Sequence, residues 1–511
     1  MLVYRDHADL ADPKERLNRL REELADIAEM ASGIDRHARL VGALIEAGQL
    51  LQGVADAALP GEEPLNDFLH RLARRVVRSW DTDFAEVGEL PLVPPLPVAG
   101  LVELRLPEGF AFYSVYPEAY VEAARKLNLS GPARVIGIRS IGTTLGAIVA
   151  AALDAPAATT VRPFGDPFAR QVDLPDDLLD SEAHYVIVDE GPGLSGSSFG
   201  AMGDWLEERG VPLERIAFIP SHTDDPGPQA SKTHLHRWQR AQRVPADFGG
   251  RLPELARTWA AGLLEPHDQL KFAGLGATGE RKLELARALH GADLTPRPVG
   301  LVHGFLIERP PEKAGPLEPD EKPVPEIARY IVERANLFPA GEHGGASIAQ
   351  LLVMCRRNIS LALGEAALSA IGCLDADRLS SGVVRVRTDN RMDRTNWLRT
   401  PDGRLIKADA IDHHQAHDLI GCQDAAWDVA GAIAEFELSD RGAEALIQLI
   451  EQNGRRVDPE LLAFYRIAYA AFRLGQATLA KDLHAERYVS VLHDLLHQHV
   501  CGATPQESSV G

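Results

Sequence analysis

The stretch Tyr185–Ser198, YVIVDEGPGLSGSS, decides how this chain is read. Three apolar residues, Val186, Ile187 and Val188, run into two adjacent acids, Asp189 and Glu190. A loop of glycine and serine follows. An amphipathic segment from about Phe199 to Arg209 then reads as a helix. A buried strand that delivers two carboxylates at its C-terminal end, beside a helix N-terminus, suits a phosphorylated sugar. The carboxylates accept hydrogen bonds from ribose hydroxyls. The loop amides, with the hydroxyls of Ser195, Ser197 and Ser198, hold a phosphate.

The flanks extend the pattern. Upstream come a strand at Val135 to Ile138, a small hydroxylated loop (GIRSIGTTLGA, 137–147) and a helix from about Leu145 to Leu153. Thr159 to Leu174 reads as a hairpin carrying Arg162 and Arg170, and a further strand runs from Arg215 to Pro220. Alternating strands and helices predict an α/β domain with a mostly parallel sheet and its ligand at the strand C-termini. Before it, Pro94, Pro95 and Pro97 mark a break. VELRLPEGFAFYSVYP then reads as a hairpin turning at Pro107, Glu108 and Gly109.

Residues 13 to 58 show helical periodicity and start at Asp12-Pro13. Residues 1–85 are therefore expected to form a helical arm, with a homo-oligomer through these helices as one use of it. A polar stretch, 223–256, holds Pro226, Gly227 and Pro228 near its start and Gly249-Gly250 near its end. It is the expected domain boundary, and Glu308 to Glu326 reads as a loop or hinge. The expected division is 1–85, 86–235 and 250–500, the last part largely helical apart from a hairpin-like segment at 383–410.

Composition bounds the partners. The chain has 511 residues, enough for two or three domains, and a net charge of −21. That charge disfavours a broad nucleic-acid or anionic-membrane surface, and leaves small molecules as the expected substrates. Four cysteines, Cys355, Cys373, Cys422 and Cys501, lie far apart, which suggests a reducing compartment and neither a disulfide frame nor a zinc finger. With no 18-residue apolar run and no signal-like N-terminus, the expected location is the cytoplasm.

The order of parts between 115 and 220 resembles the type I phosphoribosyltransferases, whose signature is an apolar strand, two acids and a Thr/Gly-rich phosphate loop. Asp189 and Glu190 match the acids, and Gly193 with Ser195-Gly196-Ser197-Ser198 matches the loop. The spacer is one residue longer, and Ser stands for Thr. The resemblance implies 5-phosphoribosyl-1-pyrophosphate with Mg²⁺ as ligand. Ser140, Gly142, Thr143 and Thr144 would face the pyrophosphate, and Arg139, Arg162 or Arg170 would neutralise the leaving group.

The C-terminal half resembles the aminoglycoside phosphotransferase and choline kinase family. GCQDAAWDVAGA (421–432) resembles the segment after that family's metal-binding Asp, with Asp424 and Asp428 at the matching places. VRVRTDNRMDRTNWLRTPDGRLIKADAID (384–412) resembles its catalytic loop and metal strand. The resemblance implies that Asp389 acts on a substrate hydroxyl and that Asn396 and Asp409, or Asp412, hold Mg²⁺ on ATP. Arg387-Thr388 stand where the family has His-Gly, and Asn396 lies seven residues past Asp389 where five is usual. QLKFAG (269–274), GERKLELARAL (279–289) and HGFLIERP (303–310) resemble a short N-lobe. There Lys271 would reach the nucleotide phosphates, Glu280 or Glu284 would pair with it, and Phe305 to Glu308 would be the hinge.

The expectation is a composite small-molecule transferase, with phosphoribosyl transfer in one half and ATP-dependent phosphoryl transfer in the other. A regulatory nucleotide-binding protein with a pseudokinase half, and a ribosyl-bond hydrolase, stay open beside it. His413, His414 and His417 are expected near bound phosphate rather than on zinc. Ser221-His222 is expected at the rim of the ribose cleft. His493, His497 and His499 with Cys501 read as a solvated helix end.

Overall fold

The computed structural model describes residues 1–97, 100–193, 195–341 and 344–498. It divides into two compact units. The first comprises Asp6–Leu283 and Val299–Ile307; the second comprises Met1–Arg5, Glu284–Pro298 and the chain from Glu308 onward.

The first unit is built on a five-stranded sheet in the spatial order Thr159–Val161, Ala133–Ile138, His184–Val188, Ile216–Ile219, Gln242–Arg243. Every neighbouring pair is parallel. All five residues of His184–Val188 are buried, as a β-branched run between two partner strands requires. In chain order the sheet reads 2-1-3-4-5. The connection after Ala133–Ile138 therefore leaves to one side and the connection after His184–Val188 to the other. The C-terminal ends of these two strands flank a topological switch point, where open α/β sheets bind ligands.

The expected arm is part of this core. The helices Pro13–Glu29, Ile34–Asp56 and Glu62–Asp81 bury Leu20, Leu44, Leu51, Phe68 and Leu72 in one cluster with Leu145, Ile148 and Val149 of the helix Ile141–Ala152. A Cβ on Gly48 would lie 1.9 Å from Thr144 Oγ1, so the second helix packs almost backbone to backbone on the sheet's own helix. Helical periodicity shows that a face must be covered. It does not distinguish the chain's own sheet from a second copy.

Two hairpin readings change. Val102–Arg105 pairs antiparallel with Ala8–Ala11, and Glu108–Phe112 is a short helix. The Pro107 carbonyl accepts from Phe110 N–H at 3.1 Å, because Pro-Glu-Gly opens a helix as readily as it turns a hairpin. In the second case Thr159–Val161 joins the sheet edge, and the hairpin proper is Phe164–Asp166 with Ala169–Gln171.

The polar stretch 223–256 does not separate the units. Residues through Leu283, and Val299–Ile307, belong with the parallel sheet. Their apolar side chains supply the reason. Trp259, Phe272 and Phe305 gather on Tyr116, with ring centroids 5.7, 5.9 and 6.5 Å away. The segments Gln269–Phe272, Phe305–Arg309 and Arg297–Val302 form one three-stranded sheet in that order.

The second unit is largely helical, with Trp427 packed on Tyr465, Tyr469 and Phe472. Its hairpin pairs Trp397–Arg399 with Leu405–Lys407 and turns at Pro401-Asp402-Gly403, where Gly403 takes φ +84°. Cys355 and Cys422 are free and buried. His499 and Cys501 lie outside the described residues. Among the described residues no helix is long and apolar enough to cross a membrane.

Leu44→Ala, at a fully buried position, is expected to cost about 2–5 kcal/mol in urea denaturation followed by circular dichroism. A loss below about 1 kcal/mol would mean that these helices stand apart from the core.

Candidate functional site

In the first unit the switch point brings three carboxylates to one cavity of about 790 Å³, lined among others by Glu108, Asp189, Glu190, Gly193, Ser221 and His222. Backbone groups fix the pair. Glu190 N–H donates to Asp189 Oδ1 at 2.8 Å, and Tyr120 Oη donates to the Asp189 carbonyl at 2.9 Å. Ser221 N–H donates to the Glu190 carbonyl at 3.1 Å. The Gly109 backbone N–H donates to the Glu190 carboxylate. A Cβ on Gly109 would lie 2.9 Å from that carboxyl carbon, so the approach needs glycine.

Burial pushes Asp189 and Glu190 up to about 7. Burial, then the charges of Glu190 and Asp6, push Glu108 up to about 8. Three half-buried carboxylates held near their titration point are poised to accept hydroxyl hydrogen bonds or a divalent cation. Glu108 escaped the sequence reading because it sat in a predicted turn. Ser221 and His222 line the cleft as their strand-end position implied.

The loop after Ala133–Ile138 meets the same gap. A Cβ on Gly142 would lie 2.7 Å from the Val188 carbonyl oxygen, so the N-terminus of Ile141–Ala152 abuts the acidic strand. Ser140 Oγ accepts from Arg162 Nη2 at 3.3 Å, and Arg162 Nη1 donates to the Arg139 carbonyl at 2.9 Å. Asp56, on the second helix, binds both arginines: Arg162 Nη2 at 2.6 Å and Arg139 Nη1 at 3.2 Å. Asp56 lies far away in the chain, and no local pattern marks it.

Other expected residues are elsewhere. Thr143 and Thr144 are buried, and Thr144 Oγ1 is turned toward Gly48 rather than toward the loop mouth. Arg170 stays within its own hairpin, donating to the Gly165 carbonyl at 3.4 Å. In the Gly/Ser loop, Gly193 and Gly196 take φ of +58° and +59°. Ser197 Oγ donates to the Pro167 carbonyl at 2.7 Å and lies 3.0 Å from Ser195 Oγ. Ser198 is in the first turn of the helix Ser197–Glu208.

In the second unit Asp389 is not presented to a substrate. Its carboxylate is fully buried, 3.1 Å from Lys407 Nζ and 3.3 Å from His413 Nδ1, and it accepts from Tyr330 Oη. Burial alone would raise its pKa. Lys407, His413 and Arg334 instead hold it far below the usual carboxylate range. Asp428 accepts the backbone N–H groups of Asp389 and Asn390 at 2.8 and 2.9 Å, which ties the start of the loop to the helix Ala426–Glu435. Burial, with the Asp389 charge, pushes Asp428 up to about 6.

His413 also reaches Asp409, with Nε2 3.3 Å from Oδ2. Asn396 ends a 3₁₀ turn, and its carbonyl accepts from Ala408 N–H at 2.8 Å; Asp412 precedes the 3₁₀ turn His413–Gln415. Oxygen donors at Asn396, Asp409 and Asp412 match Mg²⁺ in type. A cavity of about 870 Å³ opens nearby, lined among others by Arg391, Asp393, Arg394, Glu435, Arg473 and Tyr488. The loop after Asp389 contributes Asp393 to its lining, in a bidentate pair with Arg473 at 2.7 and 3.0 Å, and not Asp389 itself. Glu308 is buried in this unit. Glu284 is exposed in the middle of the helix Ala277–Gly291, and Lys271 lies on the strand Gln269–Phe272.

No protein-family model matches the chain, and no curated protein matches it. Among solved structures it is similar to a choline kinase of Streptococcus pneumoniae at 17 % identity and a TM-score of 0.38, over 49 % of this chain and 100 % of that one. A choline/ethanolamine kinase family protein of Mesorhizobium loti follows at 14 % and 0.34, over 48 % and 92 %. An aminoglycoside phosphotransferase of Alicyclobacillus acidocaldarius stands at 11 % and 0.29, over 49 % and 99 %. Likenesses this loose assign no activity, and what the second unit does has to be argued from its own residues.

Two outcomes follow. Lys407→Met removes one counter-charge of a fully buried carboxylate and is expected to cost about 3–5 kcal/mol in chemical denaturation. In the first unit the carboxyl pKa values are raised, so their stabilisation is full below the unfolded values near 4 and is lost as pH rises through about 7 to 8. The thermal midpoint of the ligand-free protein should fall between pH 5 and 8, and Asp189→Asn with Glu190→Gln should flatten that slope.

Proposed function

We propose that the first unit binds a ribose carrying a 5′-phosphate and a 1-pyrophosphate, and transfers its phosphoribosyl group to a small acceptor. One observation carries this reading: the acidic pair, the Ser140 loop and the Gly/Ser loop all sit at a single switch point, with the acidic pair facing a cavity of about 790 Å³. Asp189 and Glu190 accept from the ribose hydroxyls. The amides and hydroxyls at Ser195, Ser197 and Ser198, at the N-terminus of a 12-residue helix, hold the 5′-phosphate. Ser140, Arg139 and Arg162 meet the pyrophosphate, whose departure leaves an electron-poor anomeric carbon. Mg²⁺, when bound, neutralises the pyrophosphate charge. The half-buried acids Glu108 and Glu190, with pKa values lifted to about 8 and 7, supply donors of the type it takes.

For the second unit we propose binding of a nucleoside triphosphate with Mg²⁺ at Asn396, Asp409 and Asp412. The complete enclosure of Asp389 favours a unit that binds and reports a nucleotide over one that transfers its phosphate. Asp389 is assigned there as the anchor of the loop that carries Arg391, Asp393 and Asn396.

Calorimetry of the full chain with phosphoribosyl pyrophosphate and Mg²⁺ is expected to show binding that Asp189→Asn with Glu190→Gln weakens by about 100-fold, the loss of two charge-assisted hydrogen bonds. Absence of binding by the unaltered chain sinks the first assignment. For the second, ATP is expected to raise the thermal midpoint of the unaltered chain and not of Asp409→Ala, with no ADP formed. Steady ADP release abolished by Asp409→Ala would make this unit a transferase instead.

A further inference from the structure

Apart from the two cavities, the first unit encloses a cluster of metal-binding side chains. His37, on the helix Ile34–Asp56, Glu118, in the first turn of Pro117–Arg125, and His303, between two strands, are 0, 0 and 3 % exposed. His37 Nε2 lies 2.8 Å and His303 Nε2 3.0 Å from the same Glu118 oxygen, Oε1. One donor atom from each side chain lies within 4.8 Å of the other two. His37 Nδ1 is 2.9 Å from Ser79 Oγ.

As a hydrogen-bonded trio the cluster is incomplete. Glu118 Oε2 and His303 Nδ1 are buried with no hydrogen-bond partner among the described residues. The walls offer little help, being aromatic: Phe84 is 4.8 Å from the His37 ring, and Trp259 and Tyr116 are 4.9 and 5.2 Å from the His303 ring. An unpaired carboxylate oxygen in such surroundings is costly.

We propose that His37, Glu118 and His303 bind a divalent transition-metal ion, Zn²⁺ first among them. Two imidazoles and one carboxylate are a zinc donor set. Both Nε2 atoms already converge on the carboxylate. Oε2 supplies the fourth donor if the carboxylate binds bidentately, as a closed site needs. A ligating His37 carries its remaining proton on Nδ1, and Ser79 Oγ stands ready to accept it, the outer-shell contact that fixes a histidine ligand's tautomer. The ion joins the second helix to the segment at Pro117–Arg125 and to the turn at His303. Tyr116, two residues from Glu118, donates to the His303 carbonyl at 2.9 Å and lines the ribose cavity, so the ion braces that wall.

The test uses the full chain with any affinity tag removed. An exposed pair, His493 and His497, has Nε2 atoms 3.0 Å apart and could take zinc at the surface, so it is first replaced by alanine. In that background, dialysis against Zn²⁺ and elemental analysis should give one equivalent of zinc. Glu118→Gln and His303→Gln should each give less than a tenth of that while keeping the far-ultraviolet circular dichroism of the parent. Chelation should lower the thermal midpoint of the parent, and Zn²⁺ should restore it. A parent that takes up no zinc, nickel or iron, or folded variants that keep the full equivalent, would overturn the assignment. If neither variant folds, zinc uptake by the parent alone decides.

Discussion

A parallel sheet whose connections leave in opposite directions must open a gap between two neighbouring strands, and the proposed chemistry of the first unit lives in that gap. The strands Ala133–Ile138 and His184–Val188 are paired along five residues, from Ala133 with His184 to Gly137 with Val188. The pairing fixes where their loops emerge. Gly137 and Gly142 let the following helix close down on the strand ends, since a side chain at either would meet backbone atoms. Every later feature inherits this placement: the acids of the third strand, the serine loop behind them and the arginines beside the first.

Two buried-carboxylate arrangements show how charge can be used oppositely. Asp389 is surrounded by Lys407, Arg334, His413 and Tyr330, so its charge is fully spent inside the fold. Asp189, Glu190 and Glu108 crowd together at a cavity wall, and the burial of Asp189 and Glu190 is answered by backbone N–H groups. Networks of the first kind hold a loop in place. Clusters of the second kind gain from whatever arrives with hydroxyl protons or positive charge.

The parts legible in the sequence were those governed by local pattern. The strand from Tyr185 to Val188, its acids, the Ser140 loop, the helix after Ser198 and the turn at Pro401-Asp402-Gly403 all follow from periodicity and turn chemistry. What failed depended on contacts between distant residues. No local signal says that the Ile34–Asp56 helix covers the sheet's own helix, or that Asp56 reaches Arg139 and Arg162. Pro107-Glu108-Gly109 is compatible with a turn or a helix start, and the partner strand Ala8–Ala11 decides it. The enclosure of Asp389 was equally illegible, because the four groups that surround it come from distant positions in the chain.

The hydroxyl of Ser197 is engaged with the Pro167 carbonyl of the neighbouring hairpin, and Asp56 already occupies the two arginines beside Ser140. These groups are thus paired with one another, and a ligand that meets them must replace bonds rather than merely form them. A small anion that meets only one of these places recovers little of what it displaces. The proposed ligand, with phosphates at both ends of a ribose, would exchange all of them at once. Under the proposed assignment, selectivity by size of anion would follow from these internal bonds, before any contact with a base or acceptor is considered.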